Sequence, residues 1–167
     1  MASLPLLFWL APGSALVALV AAYVFFLQVR TANPGDAALI REAAVVKRSA
    51  YALLGRQARA EFVLLVVLVA VLIPFVLIEY LSALDVVTVW LGALAPALAG
   101  FLAAVTALSA TNRLVRAARG GEPAARTVAI RAGAAGGLLL LGLMLFEAVA
   151  WFLFVRWATH RGYMPGG

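Results

Sequence analysis

Four stretches of this sequence, about 6–29, 62–81, 87–111 and 132–155, run for twenty or more residues with hardly a charged side chain, and they constrain the fold more than any motif does. At 1.5 Å per residue each is long enough to cross a bilayer core of about 30 Å as a helix. Lipid offers no partner to a backbone N–H or C=O, so spans of this kind must be helical. The expected fold class is therefore all-α: an integral membrane protein with four transmembrane helices in one domain over 1–167. The hydrophobic share of 66%, the charged share of 12% and the mean hydropathy of +1.07 lie outside the range of soluble domains.

The net charge of +6 would suggest nucleic acid in a soluble chain. Here the positions of the charges give a better reason, because they sit between spans. The segment Arg30 to Glu61 holds six basic residues and the segment Asn112 to Arg131 holds five, so eleven of the thirteen fall on one side of the membrane. The positive-inside rule assigns that side to the cytoplasm and both termini to the outside, in what reads as a bacterial plasma membrane. The length of the first apolar stretch and the lack of a basic start favour a retained first span over a cleaved signal peptide. No partner other than the bilayer and protein is implied, and no nucleic acid.

Between the first two spans, TANPGD is a turn with Asp36 placed to cap the following helix. Ala37 to Ala60 then reads as a basic amphipathic helix, with Leu39, Ile40, Ala43, Val46, Ala50, Leu53 and Leu54 on one side and Arg41, Lys47, Arg48, Arg56 and Arg59 elsewhere. It is expected to lie along the headgroups, where it could meet anionic lipid, and to feed into the second span. Pro74 predicts a kink there, and Ser82 to Val86 a short turn that makes the second and third spans an antiparallel hairpin. Between the third and fourth spans come Arg113, Arg116, Arg119, Arg126 and Arg131; Gly120 and Gly121 end one helix and Pro123 starts the next.

The third and fourth spans are rich in small residues. Gly92, Gly100 and Ala104, with Gly133, Gly136 and Gly137, predict faces on which neighbouring helices approach closely, within the chain, in a homo-oligomer or in a larger membrane complex. Glu147 is the one charge inside the fourth span. A buried carboxyl there is either protonated and hydrogen-bonded to a neighbouring helix or a carrier of a proton or ion. Trp90, Trp151 and Trp157 suit interface belts, and His160 in the tail that ends in MPGG reads as solvated. The sequence has no phosphate loop, no H-E-x-x-H, no serine elbow, no cysteine and a single histidine, so no catalytic residue, metal ligand or cofactor site is assigned.

With the loops placed, one likeness emerges. LAGFLAAVTALSATNRLVRAAR followed by GGEPAARTVAIRAGAAGG resembles the third and fourth membrane helices of the membrane-integral pyrophosphatases, the ion pumps energised by pyrophosphate. The matching positions are Leu98, Ala99, Gly100, Arg113, Ala117, Ala118, Arg119, Val128, Ala129, Arg131, Gly133 and Ala134. Upstream, SAYALLGRQ at Ser49 to Gln57 is similar to the family's G-A-x-A-[FY]-L-x-R-Q segment, with Ser49 in place of the glycine. The resemblance runs over roughly residues 5 to 146, about the first quarter of a family member. It implies the N-terminal part of such a pump without its D-x-x-x-K-x-E and D-x-x-x-D pyrophosphate site, hence a non-catalytic subunit or scaffold. Glu147 departs from the family pattern. A small-residue helix followed by a basic loop and a helix with one carboxylate is similar to the rotor-ring proteolipids of rotary ATPases, which would make Glu147 an ion-binding group.

Overall fold

The computed structural model describes residues 6–81 and 83–160, and every regular element among them is helical. A 3-10 turn at Leu6–Trp9 leads into α1 (Leu10–Thr31), followed by α2 (Ala37–Leu77), α3 (Ala83–Leu108), α4 (Thr111–Arg119) and α5 (Glu122–His160). Four helical segments are long and apolar enough to cross a membrane. Ser82 of the expected turn and the tail beyond His160 lie outside the described residues.

The ends follow local chemistry. Asn33 Oδ1 accepts from Gly35 N–H at 2.9 Å, Gly35 takes a φ of +91°, and Asp36 Oδ1 caps α2 by accepting from Leu39 N–H at 2.8 Å. From there α2 runs unbroken for 41 residues, about 62 Å. Nothing between Ala60 and Phe62 breaks it, so the amphipathic segment and the second span are one helix. Pro74 sits in its last turn, three residues before the end, and its carbonyl still accepts from Ile78 N–H at 3.1 Å, so the helix runs through the proline rather than breaking there. The chain then turns through Glu79, which adopts a φ of 58°. The third apolar stretch ends earlier than its composition suggests: α3 stops at Leu108 and α4 restarts at Thr111 as a separate amphipathic helix. Gly120 and Gly121, the latter with a φ of +111°, turn α4 into α5, and Pro123 occupies the first turn of α5, where a missing N–H costs nothing.

α5 packs along α1 and α3 and against α4, whereas α2 packs on α3 and α4. The α1–α5 seam is built from small residues. Ala15, Ala22 and Val29 are buried at seven-residue spacing on α1, opposite Ala135 and Gly142, also seven apart, on α5. Seven-residue spacing keeps a seam facing its partner, and small side chains let the two backbones approach. Large apolar residues such as Val17, Leu64 and Leu77 point outward at 69%, 68% and 77% exposure, as suits a bilayer as solvent.

Candidate functional site

The most constrained polar arrangement lies where α1 ends, α2 begins and α3 breaks into α4. At the end of α3 the Thr106 and Leu108 carbonyls accept from the Ser109 and Thr111 hydroxyls at 2.6 and 2.8 Å and the Ala107 carbonyl from Ala110 N–H at 3.1 Å, and this end carries the negative end of the helix dipole. Ser109 C=O accepts from Lys47 Nζ at 3.4 Å and from Arg113 Nη1 at 3.2 Å. Arg113 also donates through Nε to Ala32 C=O at 3.3 Å and through Nη2 to Arg30 C=O at 3.2 Å. One guanidinium therefore ties the end of α1 to the end of α3.

Asn112 completes this node. Its side chain is 8% exposed, accepts from Lys47 Nζ at 3.0 Å and donates to Pro34 C=O at 3.2 Å. Burial, and next the nearby Arg113 charge, hold the Lys47 ammonium below its usual range. Asp36 caps α2 with one carboxylate oxygen and meets Arg119 Nη1 with the other at 3.4 Å, a pair that is half exposed and adds little. Arg41, Arg48, Arg56, Arg59, Arg116, Arg126 and Arg131 are exposed. Of the ten basic positions expected to form one face, then, Lys47 and Arg113 hold helices together, Arg119 makes a surface pair, and the other seven face outward. Asn112 is a position that charge counting misses; the signal in the sequence is an amide placed where the apolar run stops.

The glycines also divide. A Cβ on Gly136 would stand 3.1 Å from Ala103 C=O, and one on Gly142 would stand 2.7 Å from Leu19 and 3.2 Å from Ala15 C=O. A Cβ on Gly92 would stand 3.9 Å from the Trp151 indole nitrogen, whereas one on Gly100, Gly133 or Gly137 would meet no neighbouring helix within 4 Å. Ala104 is half-buried and lines, with Gly100, Gln57 and Glu61, a crevice of 210 Å³ between α2 and α3. A wider apolar groove of 730 Å³ lies between the same helices, from Ala58 to Leu68 on α2. Glu61 accepts from Gln57 Nε2 at 2.9 Å.

Glu147 is half-buried on α5, about 24 Å along the helix from Arg131, with no hydrogen bond or ion pair among the described residues. Beyond it Trp151 meets Phe154 edge to face, Phe154 lies against Trp157 at a tilt, and Phe8 meets Phe152, so aromatic side chains gather at the end opposite the basic node. Among the described residues, no three of His, Cys, Asp or Glu come together where they could hold a metal ion.

Comparison with known proteins identifies the family. The family model described as "Inorganic H+ pyrophosphatase" matches residues 16–165. A protein of Bacteroides thetaiotaomicron described as a "Putative K(+)-stimulated pyrophosphate-energized sodium pump" is 31% identical over 157 residues, covering 90% of this chain and 21% of that protein. A "K(+)-insensitive pyrophosphate-energized proton pump 2" of Moorella thermoacetica is 32% identical over 159 residues, 95% of this chain and 23% of that one. No solved structure matches. The chain thus spans under a quarter of the length of these relatives and is similar to the N-terminal part of such pumps; the rotor-ring likeness is not favoured. A match over nearly the whole chain, on a bundle of four membrane-spanning helices, places this protein in the inorganic H+ pyrophosphatase family.

Proposed function

We propose that this chain is a non-catalytic membrane scaffold of a pyrophosphate-energised ion pump, packing against further membrane helices rather than hydrolysing pyrophosphate itself. The observation that carries this reading is how the chain uses its polar groups. The ordered cations Lys47 and Arg113 are spent on helix ends and a turn, and the carboxylates are scattered over α2, α3, α5 and the turns before and after α2. Pyrophosphate hydrolysis in a membrane pump needs several carboxylates converging on divalent metal ions, as phosphoryl transfer generally does. In this reading the basic node lies at the cytoplasmic surface, both termini lie outside, and the outward-facing arginines near that surface meet anionic lipid or acidic protein.

The test is direct. Proteoliposomes containing only this chain, supplied with magnesium pyrophosphate, are expected to release no more phosphate than empty liposomes and to build no proton or sodium gradient. Phosphate release above the empty-liposome level would overturn the proposal.

A further inference from the structure

Three polar groups converge on the seam between α3 and α5. Pro96 sits inside α3, and its ring nitrogen has no hydrogen to give the Gly92 carbonyl one turn before it. Gly92 C=O is therefore left out of the helix ladder. Two close approaches set the register of the seam: Gly136 backs onto the Ala103 carbonyl, and a side chain at Gly92 would meet the Trp151 indole nitrogen. The two helices run antiparallel. Glu147 follows Gly136 by eleven residues and Gly92 precedes Ala103 by eleven, so the two come level, about 16 Å along the seam.

Eleven residues also make three turns to within about 20°, so Glu147 keeps the side of α5 that Gly136 turns to α3, and Gly92 keeps the side of α3 that Ala103 turns to α5. With no side chain of its own, Gly92 lets a neighbour reach its backbone. Trp151 stands one turn after Glu147 on the same face, and helix side chains lean toward the N-terminus, which brings its N–H back toward the carboxyl. Neither Glu147 nor Trp151 has a hydrogen bond among the described residues. Charge is sparse around them. Of the helices packed on α5, α1 carries no charge before Arg30, α3 carries only Asp85, about 10 Å beyond Gly92, and α4 belongs to the basic node at the other end. Tyr23 of α1 lies beside Ala135 and Leu139, about 12 Å or more before Glu147, and Arg156 follows Glu147 by about 13 Å.

A carboxylate at this place would set its charge against the lone pairs of Gly92 C=O, with one indole N–H to balance it. A neutral carboxyl suits all three groups, because its O–H donates to Gly92 C=O while its own C=O accepts from Trp151 N–H. A charge out of water and without a partner is neutralised rather than kept. We propose that Glu147 is a proton-binding site on the α3–α5 seam, with Gly92 C=O accepting from the bound proton and Trp151 N–H donating to the carboxyl oxygen. A single carboxyl and one carbonyl suit a proton, whereas a metal ion takes several oxygens around it. Binding is distinct from translocation and needs no hydrolytic centre, so the site stands whether or not the scaffold reading does.

Infrared spectroscopy of the purified chain in detergent reads the proton directly. In neutral buffer the protein is expected to show the C=O stretch of a protonated carboxyl, and Glu147→Gln to lose it. Glutamine offers Gly92 an N–H and Trp151 a carbonyl, so that variant is expected to fold. Trp151→Phe removes a hydrogen bond to the acid carbonyl and should move the band to higher frequency. Pro96→Ala returns an N–H to Gly92 C=O, and the band should then fade at a lower pH than in the unaltered chain. Exchanging choline chloride for sodium chloride should leave the band in place. Absence of an acid band, or one that survives in Glu147→Gln, would overturn the proposal. A band that neither Trp151→Phe nor Pro96→Ala moves would overturn it too, and loss of the band in sodium would give the site to a metal ion instead.

Discussion

Asn112 and Arg113 are adjacent in sequence but hold different parts of the fold, because the break after Leu108 points one amide toward Lys47 and Pro34 and the guanidinium toward Arg30, Ala32 and Ser109. Asn112→Leu would leave Lys47 Nζ with a single carbonyl acceptor and Pro34 C=O without its side-chain donor. Removing one partner from a buried polar pair costs about 1–3 kcal/mol. The expected result is a clear drop in the thermal midpoint of the detergent-solubilised chain, read by tryptophan fluorescence. Arg126→Ala, at an exposed position, should leave the midpoint nearly unchanged. An equal midpoint for both variants would remove the node from the account of stability. Counting charges along the sequence groups Lys47, Arg113 and Arg126 as one basic face, since charge sets topology without reference to geometry. What separates them is the helix break between Leu108 and Thr111, which apolar composition alone runs straight through.

The helices were legible as elements because bilayer crossing demands long apolar runs, and because Asp36, Gly121 and Pro123 carry recognisable end chemistry. Their contact faces were less legible. Gly133, Gly136 and Gly137 look equivalent as small residues, yet only Gly136 of the three touches another helix, and Gly142, seven residues after Ala135, carries the closest approach. Rotation about a helix axis depends on which neighbour arrives, and that information lies in α1 and α3 rather than in α5. Gly142→Val would drive its side chain into Leu19 and the Ala15 carbonyl, forcing α1 away from α5. Overpacking of this kind costs about 1–3 kcal/mol. Gly137→Ala meets open space and gains helix propensity of up to about 1 kcal/mol. The two should move thermal stability in opposite directions, and loss of stability in both would mean that Gly137 is covered by something other than lipid.

On the scale of the whole molecule, the bundle is held in two ways at its two ends. At one, Lys47, Asn112 and Arg113 knit helix ends and a turn with hydrogen bonds; at the other, Phe8, Phe152, Trp151 and Phe154 meet through their rings. Both arrangements fit a single orientation, in which the basic end stays on the side where the chain is made and the aromatic end settles at the far interface. The sequence holds this information in its charge asymmetry, while the structure adds that the two basic loops meet at one place. Arg126→Cys, beyond the basic node, and Tyr80→Cys, in the turn after α2, test the orientation in a chain without other thiols. An impermeant maleimide added to intact cells should label the thiol replacing Tyr80 and spare the one replacing Arg126, and inside-out vesicles should reverse the pattern. Labelling of the Arg126 variant in intact cells would invert the bundle, and would put Lys47 and Arg113 on the outer surface, where cytoplasmic lipid and cytoplasmic partners could not reach them.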